Sequence, residues 1–263
     1  MEKGLSRLRE LCSKKTVRLG RVTLGEGMPK ICVPVMGRTV QDIREAALRA
    51  AKAQADLLEL RADSLGEMPD TGLAIEACRA AREAQLPLIF TLRTRRDGGA
   101  GSGDAAAYEA LLCAVARAGV CEAVDCELSA GEACFARVVD AAHGADVKVI
   151  GSSHEFGEIG DMNRAADWLL RQAALGADVC KTAVMARTGV QALEAALVMA
   201  RAGERIDAPI IAIAMGAAGV LTRVGGACTG SCLTFGTAGE ASAPGQMDAR
   251  TLRRVMESIQ QAR

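Results

Sequence analysis

Eight short apolar runs, spaced almost evenly along the chain, constrain its fold more than any other feature. They are ICVPVM (31–36), DLLELR (56–61), PLIFTLR (87–93), CEAVDCEL (121–128), DVKVIGSS (146–153), DVCKTAVM (178–185), PIIAIAM (209–215) and CLTFG (232–236). Successive runs start 23 to 34 residues apart, which leaves room for one helix and two short loops each time. The intervening stretches have helical spacing, as in VQDIREAALRAAKAQ (40–54), DAAAYEALLCAVARAG (104–119) and TGVQALEAALVMARAG (188–203). Asp104 and Thr188 are expected N-caps, and Gly119, Gly144, Gly176 and Gly203 fall where helices should end. Near-continuous apolar strands are buried on both faces, as strands of a parallel sheet are. The pattern predicts an α/β chain folded as a (β/α)8 TIM barrel.

An open doubly wound sheet is the alternative, but it usually carries a glycine-rich phosphate loop after its first strand. Here that loop is MGRT (36–39), with one Gly. The stretch GGAGSGD (98–104) follows the third run and does not match G-x-G-x-x-G, so it is read as a flexible barrel loop. TVRLGRVTLGEG (16–27) resembles a short hairpin that could close the barrel bottom. With 263 residues, the expectation is one barrel domain spanning 1–263, of which 1–29 form an N-terminal extension and hairpin.

Composition excludes several partners. The 32 Lys and Arg balance 32 Asp and Glu, and a pI near 6.7 provides no field that would attract nucleic acid or anionic lipid. Only 2% of the residues are aromatic, so base-stacking platforms are poorly supplied. The charged N-terminus lacks a signal-peptide core and no segment has membrane-spanning length, which predicts a cytoplasmic protein. Ten cysteines lie scattered among alanines and valines without any C-x-x-C, and are read as small buried apolar residues; no zinc site is expected.

A barrel places chemistry at the C-terminal ends of its strands. Polar residues cluster there: Glu59 and Arg61, Arg93, Asp125 and Glu127, Ser152 and His154. Strand residues two apart share a face, so Glu59 with Arg61, and Ser152 with His154, can point together toward the mouth. The sixth run carries Lys181, alternating with Val179 and Ala183, which predicts mostly apolar surroundings. Desolvation would then favour a neutral amine, a nucleophile toward ketones and aldehydes. The alternative is an ion-pair partner for Glu59, Asp125 or Glu127. His154 is one of two histidines and suits proton transfer. The other, His143, lies near a helix end, where it favours the helix dipole.

At these residues the chain resembles the type I 3-dehydroquinate dehydratases of the shikimate pathway. The resemblance is carried by KICVPVMGRT (30–39), LLELRAD (57–63), PLIFTLR (87–93), SSHEF (152–156), CKTAVM (180–185), PIIAIAMG (209–216), GVLTRV (219–224) and ASAPGQ (241–246). It implies a (β/α)8 barrel and a hydro-lyase that removes water from 3-dehydroquinate by syn elimination, giving 3-dehydroshikimate. It implies that Lys181 forms an imine with the substrate ketone, that His154 moves the protons, and that no metal or diffusible cofactor is needed.

The resemblance further assigns Arg223 to the substrate carboxylate, and Glu59, Arg61 and Arg93 to the ring hydroxyls and the charge network. Ser242 and Gln246 fall on a loop that folds over substrate, and Met215 lines an apolar wall. Where the family commonly has a Glu orienting the histidine, this chain has Asp97, one methylene shorter, so slower proton transfer or an altered pH profile is expected. Relatives are typically homodimers. A non-catalytic metabolite sensor and an imine-forming aldolase are the competing readings. The intact Lys181 and His154 pair argues against the first. The SAPGQ segment, where an aldolase is expected to carry a phosphate cradle, argues against the second.

Overall fold

The computed structural model describes residues 16–239, 243 and 245–262. A two-stranded antiparallel hairpin, β1 (Val17–Leu19) and β2 (Val22–Leu24), precedes the main sheet. Eight parallel strands follow: β3 (Lys30–Val35), β4 (Leu57–Arg61), β5 (Leu88–Thr91), β6 (Ala123–Glu127), β7 (Lys148–Glu155), β8 (Val179–Met185), β9 (Ile210–Met215) and β10 (Leu233–Thr237). They pair in chain order from β3 to β9, and β10 returns to pair with β3. Cys232, just before β10, donates its N–H to Ile210 C=O on β9 at 2.8 Å, and Ser231 bridges the same residue. The sheet thereby closes into the (β/α)8 barrel that the spacing of the runs predicts. A two-residue strand, β11 (Met247–Asp248), adds to β10 beyond the closure.

The helices are α1 (Val40–Lys52), α2 (Thr71–Arg82), α3 (Ala105–Arg117), α4 (Glu132–His143), α5 (Asn163–Ala174), α6 (Gly189–Gly203), the short α7 (Val220–Val224) and α8 (Gly226–Thr229), and α9 (Ala249–Gln261). Their starts follow local chemistry. Thr39 and Asp42 form a reciprocal capping box on α1. Asp104 accepts from the N–H groups of Ala106 and Ala107 on α3, and Thr188 accepts from Gln191 on α6, as expected of these caps. Gly119 and Gly176 lie just past helix ends with φ of +61° and +91°, conformations that strain other residues. His143 ends α4 as expected and also reaches Asp178, the residue just before β8, Nε2 to Oδ2 at 2.8 Å.

The period-two alternation of the strands separates two cores. Leu58, Leu60, Phe90, Val124, Cys126, Val149, Cys180 and Val184 face outward under the helices. Cys32, Leu57, Ile89, Ala123, Ile150, Val179, Ile211 and Leu233 face inward and fill the lower barrel. Val17, Leu19 and Leu24 of the hairpin pack against this inner layer, so the hairpin closes the bottom as expected. Leu19 and Leu24 are fully buried, each stabilising the floor by about 1.5–3 kcal/mol. The first fifteen residues of the expected N-terminal extension lie outside the described residues.

Eight of the cysteines are buried as expected, but Cys228 on α8 is exposed. Cys12 lies outside the described residues. Among the described residues no helix is long and apolar enough to cross a membrane.

Candidate active site

The apolar floor sets the register of everything above it. Two residues further along each strand from the inner layer come Glu59, Thr91, Asp125, Ser152 and Lys181, and two more bring Arg61, Arg93, Glu127 and His154. These side chains converge at the C-terminal mouth of the barrel, around a pocket that opens to solvent. Glu59, Arg61, Arg93, Asp97, His154, Lys181, Met215, Arg223 and Gln246 all line it. Thus nine of the ten residues expected from sequence meet in one place, and the tenth, Ser242, lies outside the described residues. Gly98, Phe156, Ala183, Ile213, Phe235 and Ala243 complete the lining.

Lys181 does not sit in the mostly apolar surroundings predicted from its own strand. Its Nζ lies 3.2 Å from Glu59 Oε1 and 3.1 Å from Asp125 Oδ2, and 4.7 Å from the centre of the Phe235 ring. Alternation along β8 gives only the neighbours on β8; a closed barrel adds the inward side chains of β4 and β6. The ion pair and the buried amine, posed as alternatives by the sequence, coexist.

Both carboxylates are kept ionised. Burial pushes Glu59 up, but Lys181 and Arg61 outweigh it and hold it below its ordinary value. For Asp125, burial is again opposed, by Arg93 and then Lys181, and the carboxyl is held far below the usual range.

Arg93 is 4% exposed and is ion-paired through both terminal nitrogens. It donates to Glu127 Oε1 and Asp125 Oδ2, each at 2.9 Å, and to Ser152 Oγ at 3.0 Å. Arg61 forms a two-pronged pair with Asp63, at 2.9 and 2.8 Å. The mouth is therefore not a cluster of uncompensated cations, since carboxylates accompany them. Arg223 is 1% exposed, and burial pulls its guanidinium down to about 10.

His154 is held by Asp97, whose Oδ2 lies 3.1 Å from both the backbone N–H and Nδ1 of the histidine. Burial works to raise Asp97, but the His154 hydrogen bond and Arg93 lower it, so it is an ionised acceptor. The proton therefore sits on Nδ1, leaving the Nε2 lone pair available. Burial, followed by the charge of Arg93, lowers His154 to about 4. A neutral imidazole is thus present at pH 7. Free-enzyme activity that needs this base should stay flat from pH 8 to about pH 5 and fall only below it, read from the pH profile of kcat/KM. An acid limb at pH 6.5 or above would contradict the assignment.

The shorter Asp97 reaches because the loop after β5 is wound inward. Gly99 N–H donates to Thr94 C=O at 2.8 Å, and Gly101 N–H to Arg93 C=O at 2.9 Å. A Cβ at Gly99 would lie 2.1 Å from that Arg93 oxygen, so only glycine allows the approach. Gly98 has φ +82°, and a Cβ there would strike the Phe156 ring, which itself stacks near His154. The glycine-rich segment read from sequence as a flexible loop is thus a hydrogen-bonded clamp for the histidine. Asp97→Asn should cost roughly 10- to 100-fold in kcat, part of what a positioned base contributes. Asp97→Glu should stay within about threefold of the parent under the same assay, and a gain of more than tenfold would show that the short side chain does limit the site.

Three contributors were not singled out from sequence. Asp63 also accepts from the N–H of Ala100 at 3.1 Å, tying Arg61 to the glycine loop. Phe156 and Phe235 supply aromatic walls. The signal for Asp63 was present, two residues after Arg61, but a bidentate pair within a tight turn has no periodicity. Among the described residues no group of three or more His, Cys, Asp or Glu side chains could hold a metal ion.

Comparison with known proteins identifies the family and relatives of the same fold. The model of the type I 3-dehydroquinase family matches residues 31–263. The chain is 37% identical over 240 residues to a 3-dehydroquinate dehydratase of Listeria welshimeri, covering 90% of this chain and 95% of that one. Among solved structures it is similar to a type I 3-dehydroquinate dehydratase from Clostridium difficile with covalently modified comenic acid. The TM-score is 0.90 at 32% identity, over 95% of this chain and 100% of that one. A 3-dehydroquinate dehydratase from Geobacillus kaustophilus gives the same TM-score at 29% identity, over 95% and 98% of the two chains.

Proposed function

The chain belongs to the type I 3-dehydroquinase family, and on that footing we propose that it dehydrates 3-dehydroquinate to 3-dehydroshikimate through an imine on Lys181. The observation that carries the reading is the pairing, in one cavity, of a buried lysine amine with a neutral histidine whose tautomer is fixed by Asp97. The covalently modified comenic acid named for the Clostridium relative supports a covalent route.

In the proposed sequence, Nζ of Lys181 adds to the substrate ketone at C3 and water leaves, giving a protonated imine. The imine withdraws electrons, so the neighbouring C2 hydrogen becomes acidic. Nε2 of His154 takes that proton and an enamine forms. The enamine pair expels the C1 hydroxyl, which leaves as water with the proton returned by His154. Water then hydrolyses the imine and frees Lys181, so the net change is loss of one water from the substrate.

Glu59 and Asp125, held ionised, stabilise the cationic imine where it forms. Arg223 is proposed to bind the substrate carboxylate, Arg61 and Gln246 its hydroxyls, and Met215 an apolar edge. Arg93 acts as the framework of the charge network. Ser242 stays assigned to substrate on the resemblance alone. We place the reaction in the shikimate pathway, in a cytoplasmic single-domain protein that works as a homodimer.

The test is to incubate the protein with 3-dehydroquinate, add borohydride and map the added mass. Dehydration with a reduced adduct on Lys181 is expected. Dehydration without an adduct on Lys181 refutes the imine, and absence of both would leave a ligand-binding relative.

A further inference from the structure

Tyr108 is the only tyrosine in the chain, lies in the first turn of α3 and is 1% exposed. It touches no part of the cavity, yet its hydroxyl is engaged twice. It accepts from the Glu127 N–H at 2.9 Å and donates to the Asp125 C=O at 3.3 Å. Both are backbone groups of β6, on either side of Cys126, whose side chain faces the helices.

The neighbouring strand explains why a side chain is needed there. In a parallel sheet each interior N–H finds a carbonyl on an adjacent strand. Strand β5 stops at Thr91, which pairs with Asp125, and no β5 residue pairs opposite Glu127. After Thr91 the chain leaves the ladder to carry Arg93 into the mouth and to bring the Thr94 N–H to Glu127 Oε1 at 2.9 Å. A buried N–H without an acceptor is costly. The phenol takes the place that a longer β5 would have filled.

We propose that the Tyr108 hydroxyl is a positioning group for catalysis, fixing the height of the last two inward carboxylates of β6 and, through them, of Lys181 and Arg93. The contacts form one chain: Tyr108 to the backbone at 125 and 127, Asp125 Oδ2 to Lys181 Nζ at 3.1 Å, and Glu127 Oε1 to Arg93 at 2.9 Å. Released from the phenol, the end of β6 can relax outward and take the carboxylate partner of Lys181 with it. A shift on the order of 1 Å at a reacting group is enough to slow chemistry up to about 10²-fold. The catalytic part of this inference rests on the imine reading above; the mechanical coupling does not.

Two measurements test it. Tyr108→Phe keeps the ring and deletes only the hydroxyl. Its kcat, counted per Lys181 site trappable with borohydride, should fall roughly five- to fiftyfold while KM stays within about twofold, because the groups assigned to bind substrate are untouched. Since there is one tyrosine, 3-fluorotyrosine incorporation gives a single fluorine resonance at this hydroxyl. That resonance should move in Lys181→Met, where Asp125 loses its ammonium partner.

A resonance that stays put overturns the coupling, whatever the rate does, and an unchanged kcat in Tyr108→Phe overturns the positioning role. Should Tyr108→Phe not fold, the fluorotyrosine protein, with a weaker acceptor at the same place, carries the kinetic arm. A wild type without dehydratase activity would count against the proposed function, while the resonance in Lys181→Met still decides for or against Tyr108.

Discussion

Lys181→Met abolishes turnover while leaving the barrel folded. Methionine fills nearly the same volume on β8 but has no amine to add to a ketone, so the expected loss of kcat is on the order of 10⁴ or more, as for other covalent nucleophiles. The stability cost should be small by comparison. Asp125 keeps Arg93 at 2.9 Å and Ser152 at 2.5 Å, and Glu59 keeps the Thr91 hydroxyl at 3.1 Å, so neither carboxylate is abandoned. Both have folded-state pKa values below their unfolded ones, and their contribution is therefore present at neutral pH and lost as pH falls through the folded values. Removing Lys181 raises both. The stability gap between variant and parent should thus be largest near pH 7 and close in acid. Rate assays and thermal unfolding at pH 7 and pH 4 check this. Residual turnover above about 1% of the parent would rule out Lys181 as the nucleophile.

The fold was legible because burial on both faces of eight strands leaves a strong periodic trace. Capping residues such as Asp104 and Thr188 were legible too, since a cap is a local event. The site was legible in membership but less so in electrostatics. Lys181 was expected among apolar neighbours because alternation describes one strand, whereas its partners Glu59 and Asp125 come from strands 122 and 56 residues away in the chain. Asp125 and Glu127 were visible at the mouth, but nothing in the spacing said that Arg93 would engage both.

The glycines at 98–101 were read as freedom when they serve close approach; a glycine chosen for φ and one chosen for contact look alike in sequence. Tyr108 left the faintest signal, since a buried tyrosine on a helix face is ordinarily core. Only the early end of β5, a feature of three-dimensional pairing, gives its hydroxyl a task.

Arg93→Met should be the most destabilising single change in the mouth. The guanidinium stands between Asp125 and Glu127 with all three residues nearly inaccessible to solvent. Burial opposes its charge, but Asp125 and Glu127 overcome that and raise its pKa. Removing one partner from a buried ionic cluster costs about 3–5 kcal/mol, because the remaining charges stay desolvated. That is a large share of the roughly 5–15 kcal/mol available to a folded domain, and at roughly 2–4 °C per kcal/mol it lowers Tm by on the order of 10 °C.

Glu127 makes the loss pH-dependent. Burial already raises it above the ordinary glutamate value, against the opposing pull of Arg93. Without Arg93 it rises further, so the folded state binds a proton more readily than the unfolded one. The penalty is then fully present above the new folded pKa and is relieved as pH falls toward the unfolded value near 4.3. Arg93→Met should accordingly be closer to the parent at pH 5 than at pH 8. Arg93→Lys should recover part of the stability, since it restores a charge without the fork that reaches both carboxylates. Urea unfolding of the three proteins at both pH values measures this, and equal destabilisation by Met and Lys at either pH would show that the shape of the side chain, and not its charge, holds the two carboxylates.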